Sequence, residues 1–310
     1  MISFIIPAFN EGSILGNTLQ SIQDFGPKEE VEVVVVDNCS TDNTADVALS
    51  YGAKVISSNA NTIASVRNSG VKESTGDILI FVDSDVLLTL EWSKNIAQLV
   101  ERIRSTPLII SGSRCHPPSN GAYLNKFWYE LLNSQKTTYI NSGHMITSIR
   151  LFELIKGFNQ SLKTAEDHDF CLRAQKNGAN IEPDFTLITV HNGYPDTIIN
   201  FIKRERWHGR EDYETLASFV NSKIALIAML NLFLFVGSLF LTLTTFSIIP
   251  MGCYFISMFF LCITLSTVKF GKLSPFNLVN NSLLHYLYFW GRGVAFLDRI
   301  FGYYGKRFRG

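Results

Sequence analysis

Gly76-Asp77-Ile78-Leu79-Ile80-Phe81-Val82-Asp83-Ser84-Asp85 joins a glycine, five consecutive apolar residues and two carboxylates that flank one small residue. The run Ile78–Val82 is too short for a helix and too continuously apolar for a strand with a wet face. It reads as a strand buried on both sides, as in a parallel sheet covered by helices. Upstream, Ile2–Ile6 ends at Pro7 and Val31–Val36 ends at Asp37, while Lys54–Ile56 is a further short strand. Ser13–Phe25, Asp42–Tyr51 and Ile63–Ser74 carry helical spacing between them, and Gly76 is read as the stop after the last. This β-α alternation predicts a doubly wound α/β domain with ligands at the carboxyl ends of its strands. Asn10, Glu11, Asp37, Asp83 and Asp85 all fall at those ends.

Outward from that core the pattern loosens. Leu108–Ser111 is strand-like, Pro117-Pro118 marks a turn, and Asn125–Leu132 is an aromatic helix. From Ile224 to Val268 the chain is almost free of charge, enough for two bilayer spans at roughly 20 residues each. Spans are expected near 224–245 and 248–268, with the turn at Phe246–Pro250. Lys203, Arg204, Arg206, Arg210 and Lys223 precede the pair, and Lys269 and Lys272 follow it. The positive-inside rule puts both flanks in the cytoplasm and the turn outside. A buried helical hairpin in a soluble core is the alternative. A third apolar stretch, Leu283–Phe301, contains Arg292, Asp298 and Arg299 and is rich in aromatic rings. Those charges oppose a third span and favour an amphipathic interfacial helix, with Lys306, Arg307 and Arg309 on lipid phosphates. The expected domains are residues 1–222, a pair of transmembrane helices over 223–269, and a basic amphipathic tail over 270–310.

A net charge of zero conceals an asymmetry. Residues 223–310 hold eight Lys/Arg against one Asp, so residues 1–222 hold 19 basic against 26 acidic side chains. An acidic body with an apolar, basic tail points away from nucleic acid and toward an anionic membrane surface. Cys39, Cys115, Cys171, Cys253 and Cys262 are dispersed without zinc or redox spacing, which fits reduced thiols. Met1-Ile2-Ser3-Phe4 begins as a strand without a basic leader, so the first domain is expected on the cytosolic side.

Two acidic groups carry candidate chemistry. Asp83-Ser84-Asp85 can present oxygens to a hard divalent ion, which takes one or two carboxylates and completes its shell with water and phosphates. Such an ion would neutralise charge on a departing diphosphate. Ala165-Glu166-Asp167-His168-Asp169 precedes a helical run, Phe170–Asn177, stopped by Gly178. Acidic residues there answer the helix dipole, and one carboxylate can also serve as general base toward an acceptor hydroxyl.

Phe4-Ile5-Ile6-Pro7-Ala8-Phe9-Asn10-Glu11, Val35-Val36-Asp37 through Thr44, Arg67-Asn68-Ser69-Gly70 and Gly76 through Asp85 together resemble the ordered motifs of the family-2 glycosyltransferases, which have the GT-A fold. Gly157-Phe158, Glu166-Asp167, Arg173 and Gly178 are similar to that family's second half, so the resemblance covers roughly residues 1–195. It implies a mixed GT-A sheet flanked by helices. Pro7, Ala8, Asn10 and Glu11 would line the nucleotide pocket, and Asp37 would bind base or ribose. Arg67 would sit near the nucleotide and hold the Asp-x-Asp loop. Asp83 would lie near ribose or metal, Asp85 would be the main ligand of Mg²⁺ or Mn²⁺, and His191 would stand near metal or diphosphate. Asp167 would be the base, with Glu166 binding acceptor or supporting it.

There are departures from the pattern. Processive members carry Gln-x-x-Arg-Trp, whereas Lys203-Arg204-Glu205-Arg206-Trp207 keeps only the Arg-Trp and favours transfer of a single sugar. That basic segment can guide lipid headgroups or an acceptor phosphate, or act as a juxtamembrane anchor. Ser142-Gly143-His144 replaces a smaller acceptor-side loop. The expected function is inverting transfer from a nucleotide diphospho-sugar to a hydroxyl of a membrane-associated acceptor. Polyprenyl-diphosphate-linked saccharides of surface-glycan synthesis fit first, and a polyprenyl monophosphate is the alternative. A non-catalytic, membrane-bound nucleotide-sugar-binding partner is the reading from another class. A nucleotidyltransferase would share the fold and the carboxylates, but no Gly-rich basic phosphate loop follows the first strand.

Overall fold

The computed structural model describes residues 1–119, 122–133 and 137–302, which group into two compact units. The first comprises residues 1–118 and 136–193, and the second residues 119–135 and 194–310. The boundary read at residue 222 therefore falls inside the second unit, because α8–α9, defined below, pack with the apolar helices.

In the first unit, β1 (Ile2–Ala8), β2 (Val31–Asp37), β3 (Lys54–Ser57) and β4 (Ile78–Val82) are parallel and alternate with α1 (Leu15–Phe25), α2 (Thr44–Ser50) and α3 (Ile63–Lys72). Then come β5 (Val86–Leu88), α4 (Leu90–Ser105) and β6 (Ile109–Gly112), followed later in the chain by β7 (His144–Ser148) and α6 (Ile149–Leu154). The last elements are α7 (Glu166–Lys176), β8 (Asn180–Pro183) and β9 (Thr189–His191); α5 belongs to the second unit. The main sheet runs β3-β2-β1-β4-β7-β6-β8, with β7 antiparallel to both neighbours, and β5 pairs with β9 in a small second sheet.

Alternation of side chains in these strands divides the core. Phe4, Ile6, Ile80 and Val82 pack with α1, α2 and α4 through Leu15, Ala48 and Trp92. Ile5, Leu79 and Phe81 face α3, α6 and α7 through Val66, Phe152 and Phe170. With a period of two, neighbouring residues serve opposite layers, so both faces must be apolar. Each fully buried side chain of this size contributes about 1.5–3 kcal/mol.

Two punctuation marks act differently from the sequence reading. β1 continues through Pro7 to Ala8. Its pairing with β4 stops at Ile5, so the missing proline N–H costs the ladder nothing on that side. Gly76 is not the stop of α3, whose C-cap is Glu73. A side chain at Gly76 would strike the backbone of Ser3 and Met1 instead, so the glycine lets the turn into β4 pass beside β1. Gly178, by contrast, has a φ of +83° just past α7 and ends it as the left-handed position requires.

The second unit is helical. A π-turn over Asn125–Tyr129 leads into α5 (Glu130–Asn133), and α8 (Ile198–His208) and α9 (Leu216–Asn221) precede α10 (Lys223–Thr245), α11 (Ile249–Phe270) and α12 (Pro275–Ile300). Twenty-three residues of α10 give about 35 Å of helix against a hydrocarbon layer of about 30 Å. α10 and α11 are both long and apolar enough to cross a membrane, and they expose Phe233, Phe240, Leu243, Ile256 and Phe260. The break lies at Phe246, whose φ is +53°, and Pro250 sits in the first turn of α11.

α12 departs from the expected surface helix. It begins eight residues before Leu283 and packs on α8, α10 and α11. Gly291 abuts α8 at Ile202 and Glu205, and Gly293 abuts α10 at Ala228. Its charges, which argued against a span, are spent inside the unit: Asp298 pairs with Arg206 and Arg210, and Arg292 with Glu205 and Asp212. Lys306, Arg307 and Arg309 lie outside the described residues.

Gly70 tests the first unit's packing. An added Cβ would lie 2.6 Å from Ile5 Cγ2 and 2.9 Å from Val36 Cγ2. Gly70→Val is expected to destabilise the protein by about 1–3 kcal/mol through overpacking of α3 on the sheet. An unchanged thermal midpoint of the purified protein would contradict this account.

Candidate active site

The carboxyl end of the parallel strands is built by two interlocked loops. Asn10, at a φ of +55°, receives Thr41 N–H on its side-chain oxygen at 2.7 Å and donates its own backbone N–H to Ser40 Oγ at 2.8 Å. Glu11 N–H donates to Thr44 Oγ1 at 2.8 Å. Asp37, the last residue of β2, accepts from Ser40 N–H at 3.2 Å. Asn10, Glu11 and Asp37 are partly exposed around this crossing, whereas Pro7 and Ala8 are buried within β1 and form its floor.

Arg67, from α3, sits 3% exposed behind the end of β4. Its Nη2 donates to Asp83 Oδ1 at 2.7 Å and its Nη1 to Glu166 Oε1 at 2.8 Å. Ser142 Oγ donates to the same Glu166 oxygen at 3.0 Å. Burial opposes the guanidinium charge, but the carboxylates of Asp83 and Glu166 outweigh it and raise the Arg67 pKa above its ordinary value. Glu166 is thus turned inward onto Arg67. Asp83 is held on one oxygen by Arg67, and its other oxygen occupies the space that a Cβ at Gly143 would need.

Asp167 follows Glu166 in the first turn of α7 and is 8% exposed. Burial first, and the neighbouring Glu166 charge second, push its carboxyl up to about 6. The backbone N–H of His168 donates to Asp167 Oδ1 at 2.7 Å, and this bond and Arg67 restrain the rise. Ala165 enters the helix through a φ of +56°, so the turn before α7 is sharp.

Asp85 lies on the opposite side of Ser84. Its Oδ1 is 3.5 Å from His191 Nε2, with both side chains partly exposed. The β5–β9 pairing places them together, with Val86 opposite His191. A Cβ on Gly193 would come within 2.0 Å of Asp85 Oδ2, so only glycine leaves room for that carboxylate. Among the described residues no group of three or more His, Cys, Asp or Glu side chains is arranged around a metal position. An oxygen from Asp85 and a nitrogen from His191 nevertheless form a donor pair that suits Mn²⁺ and tolerates Mg²⁺, with phosphate and water supplying the remainder.

His144, noted in the sequence within a polar acceptor-side loop, is instead fully buried in β7. Trp92 Nε1 donates to its Nε2 at 2.8 Å, Ser113 Oγ lies 3.0 Å from its Nδ1, and burial pushes the imidazole down to about 4. It is a neutral tie between α4, β6 and β7. Ser142 and Gly143 are the parts of that segment that reach the carboxylates. Their roles were missed because a Ser-Gly pair carries no signal until β7 is paired beside β4.

Arg67→Met is expected to cost about 3–5 kcal/mol, since it leaves Glu166 buried without its cation. It should also move the Asp167 pKa further above about 6, because Arg67 now favours the ionised form. Carboxyl ¹³C titration by NMR checks the second effect, and an unmoved or lowered Asp167 midpoint would refute it.

Residues 3–153 match Glycosyl transferase family 2. The chain is 30% identical over 194 residues to the poly(ribitol-phosphate) beta-N-acetylglucosaminyltransferase TarS of Staphylococcus aureus, covering 58% of this chain and 33% of that protein. It is 34% identical over 224 residues to a poly(ribitol-phosphate) beta-glucosyltransferase of Bacillus spizizenii, covering 67% and 35%. The matched region thus spans about a third of the length of these relatives. Among solved structures, the mannosyltransferase PcManGT from Pyrobaculum calidifontis, in complex with GDP-Man and Mn²⁺, superposes with a TM-score of 0.61 over 96% of this chain and 86% of its own. At 16% identity that likeness is one of fold. Residues 3–153, just under half of the chain, are thus similar to Glycosyl transferase family 2.

Proposed function

We propose that the chain is an inverting glycosyltransferase that moves one sugar from a nucleotide diphospho-sugar to a hydroxyl of a membrane-associated acceptor. The observation that carries this reading is Asp167: a carboxylate raised to about 6 beside the arginine that orients the Asp83 turn. At neutral pH it is ionised, yet it binds a proton more strongly than an ordinary aspartate, the combination a general base needs. Asp167 accepts the proton of the acceptor hydroxyl as that oxygen attacks the anomeric carbon, and the nucleoside diphosphate departs from the opposite face. Glu166 and Asp83, both held by Arg67, position the base and the donor-side turn. The loops around Asn10, Glu11 and Asp37 offer polar groups to the nucleotide.

Asp85 and His191 would hold a divalent cation, Mg²⁺ or Mn²⁺, against the donor diphosphate. The cation supplies neutralisation of the charge that gathers on the leaving group. Asp83 is assigned to orientation, since one of its oxygens is committed to Arg67.

The names of the two relatives describe β-linked products on a polyol phosphate. A β product is what inversion of an α-linked nucleotide sugar would give, and a polyol offers a hydroxyl that requires a base. Two helices long and apolar enough to cross a membrane support an acceptor carried by lipid, such as a polyprenyl-diphosphate-linked saccharide. A polyprenyl monophosphate is a weaker fit, because its nucleophile is already ionised and would leave Asp167 without a task.

Asp167→Asn is expected to lower nucleoside diphosphate release by about 10²–10⁴-fold while donor binding persists. Full turnover in that variant would sink the base assignment. The wild-type rate should fall as pH drops through about 6, because protonation then removes the base. A rate that is flat from pH 5 to 8 would contradict this. Asp85→Ala should abolish the metal-dependent part of donor affinity; equal donor affinity with and without Mn²⁺ in the wild type would exclude a metal role.

A further inference from the structure

The second unit contains five described arginines before residue 303, and four are committed to internal partners. Arg206 and Arg210 pair with Asp298, Arg292 pairs with Glu205 and Asp212, and Arg299 donates to the Glu214 carbonyl. Arg204 is the exception. No carboxylate among the described residues forms an ion pair with it, and its one hydrogen bond runs from Nη1 to Tyr129 Oη at 3.2 Å. Its guanidinium lies 5.4 Å from the ring centres of both Tyr129 and Tyr194, whose rings are 4.2 Å apart. The tyrosines make a shelf that fixes the plane of the cation.

The rest of the fork is available. Nε and Nη2 of Arg204 have no hydrogen-bond partner among the described residues, and neither is sealed from solvent. Burial opposes the Arg204 charge, and the neighbouring Tyr129, Glu205 and Tyr194 outweigh it and raise its pKa, so the guanidinium stays a cation. A planar fork with two free edges matches the oxygens of a phosphate.

We propose that Arg204, on its shelf of Tyr129 and Tyr194, binds a phosphate group carried by a polyprenyl lipid. This deepens, and rests on, the membrane-associated acceptor proposed above. The residues belong to the same unit as α10 and α11, so the phosphate is that of a molecule whose remainder is dissolved in lipid. The Lys203–Trp207 segment then divides its labour: Arg206 ties α8 to α12, and Arg204 recognises the ligand.

The test uses the full chain in detergent micelles, with farnesyl phosphate as probe and farnesol as its uncharged control, read by calorimetry. Wild-type protein should bind farnesyl phosphate at least about tenfold more tightly than farnesol, the worth of one charge-assisted contact. Equal affinities would overturn the proposal without reference to any variant. Arg204→Gln should erase the difference, and Arg204→Lys, which keeps the charge but not the fork, should recover part of it. Unaltered discrimination in a folded Arg204→Gln protein would overturn the assignment. Phosphatidylglycerol and phosphatidylcholine vesicles separate the sources: if Arg204→Gln loses adsorption to the former and keeps farnesyl phosphate binding, Arg204 serves bulk headgroups and the proposal fails. Inorganic phosphate that competes as well as farnesyl phosphate would likewise remove the lipid from the ligand. Nucleoside diphosphate release by the same preparations reads the proposed transfer separately. Its absence beside intact, Arg204-dependent binding would remove the transfer function and leave the phosphate site.

Discussion

One buried guanidinium organises the carboxyl end of the parallel strands in the first unit. Arg67 joins the end of β4, through Asp83, to the start of α7, through Glu166. Glu166 is almost wholly buried, and Asp83, half-buried, sits against Gly143. The cation holds both, and it moderates the field at Asp167. Two carboxylates adjacent in sequence are therefore held in different ways. Glu166 spends its charge on Arg67, while Asp167 keeps a raised affinity for a proton.

The parallel half of the sheet was legible because both faces of its strands are buried. Ile78–Val82 could be read to the residue, since five apolar side chains bounded by Gly76-Asp77 and Asp83 admit one arrangement. The antiparallel half was not. β7, β8 and β9 are short, mix polar with apolar residues, and are fixed by pairing partners far away in the chain. α4, with a strong apolar stripe through Trp92, Ile96, Leu99 and Ile103, went unremarked although its periodicity was present.

For the site, residue types were readable and partnerships were not. Asp-x-Asp and Glu-Asp announce acidic chemistry, but only the packed chain shows that Asp83 faces Arg67 while Asp85 faces His191. The pairing of β5 with β9, which creates the second contact, rests on three residues from each strand. In the second unit the charges of α12, read alone, favour a helix lying in the membrane interface. Their partners on α8 and in the turn after it lie 80 to 92 residues earlier, which no local pattern reports.

The clamp on Arg67 also sets an order of assembly. Arg67 and Asp83 are 16 residues apart and can meet as soon as α3 and β4 form, whereas Glu166 lies 99 residues beyond Arg67. A nascent chain that has emerged only to residue 153 holds the whole family-matching segment. It holds neither Glu166 nor Asp167. During synthesis the guanidinium must wait, half-compensated, for the helix that completes it. The half of the domain most easily recognised by its sequence thus closes its clamp only when the later half arrives.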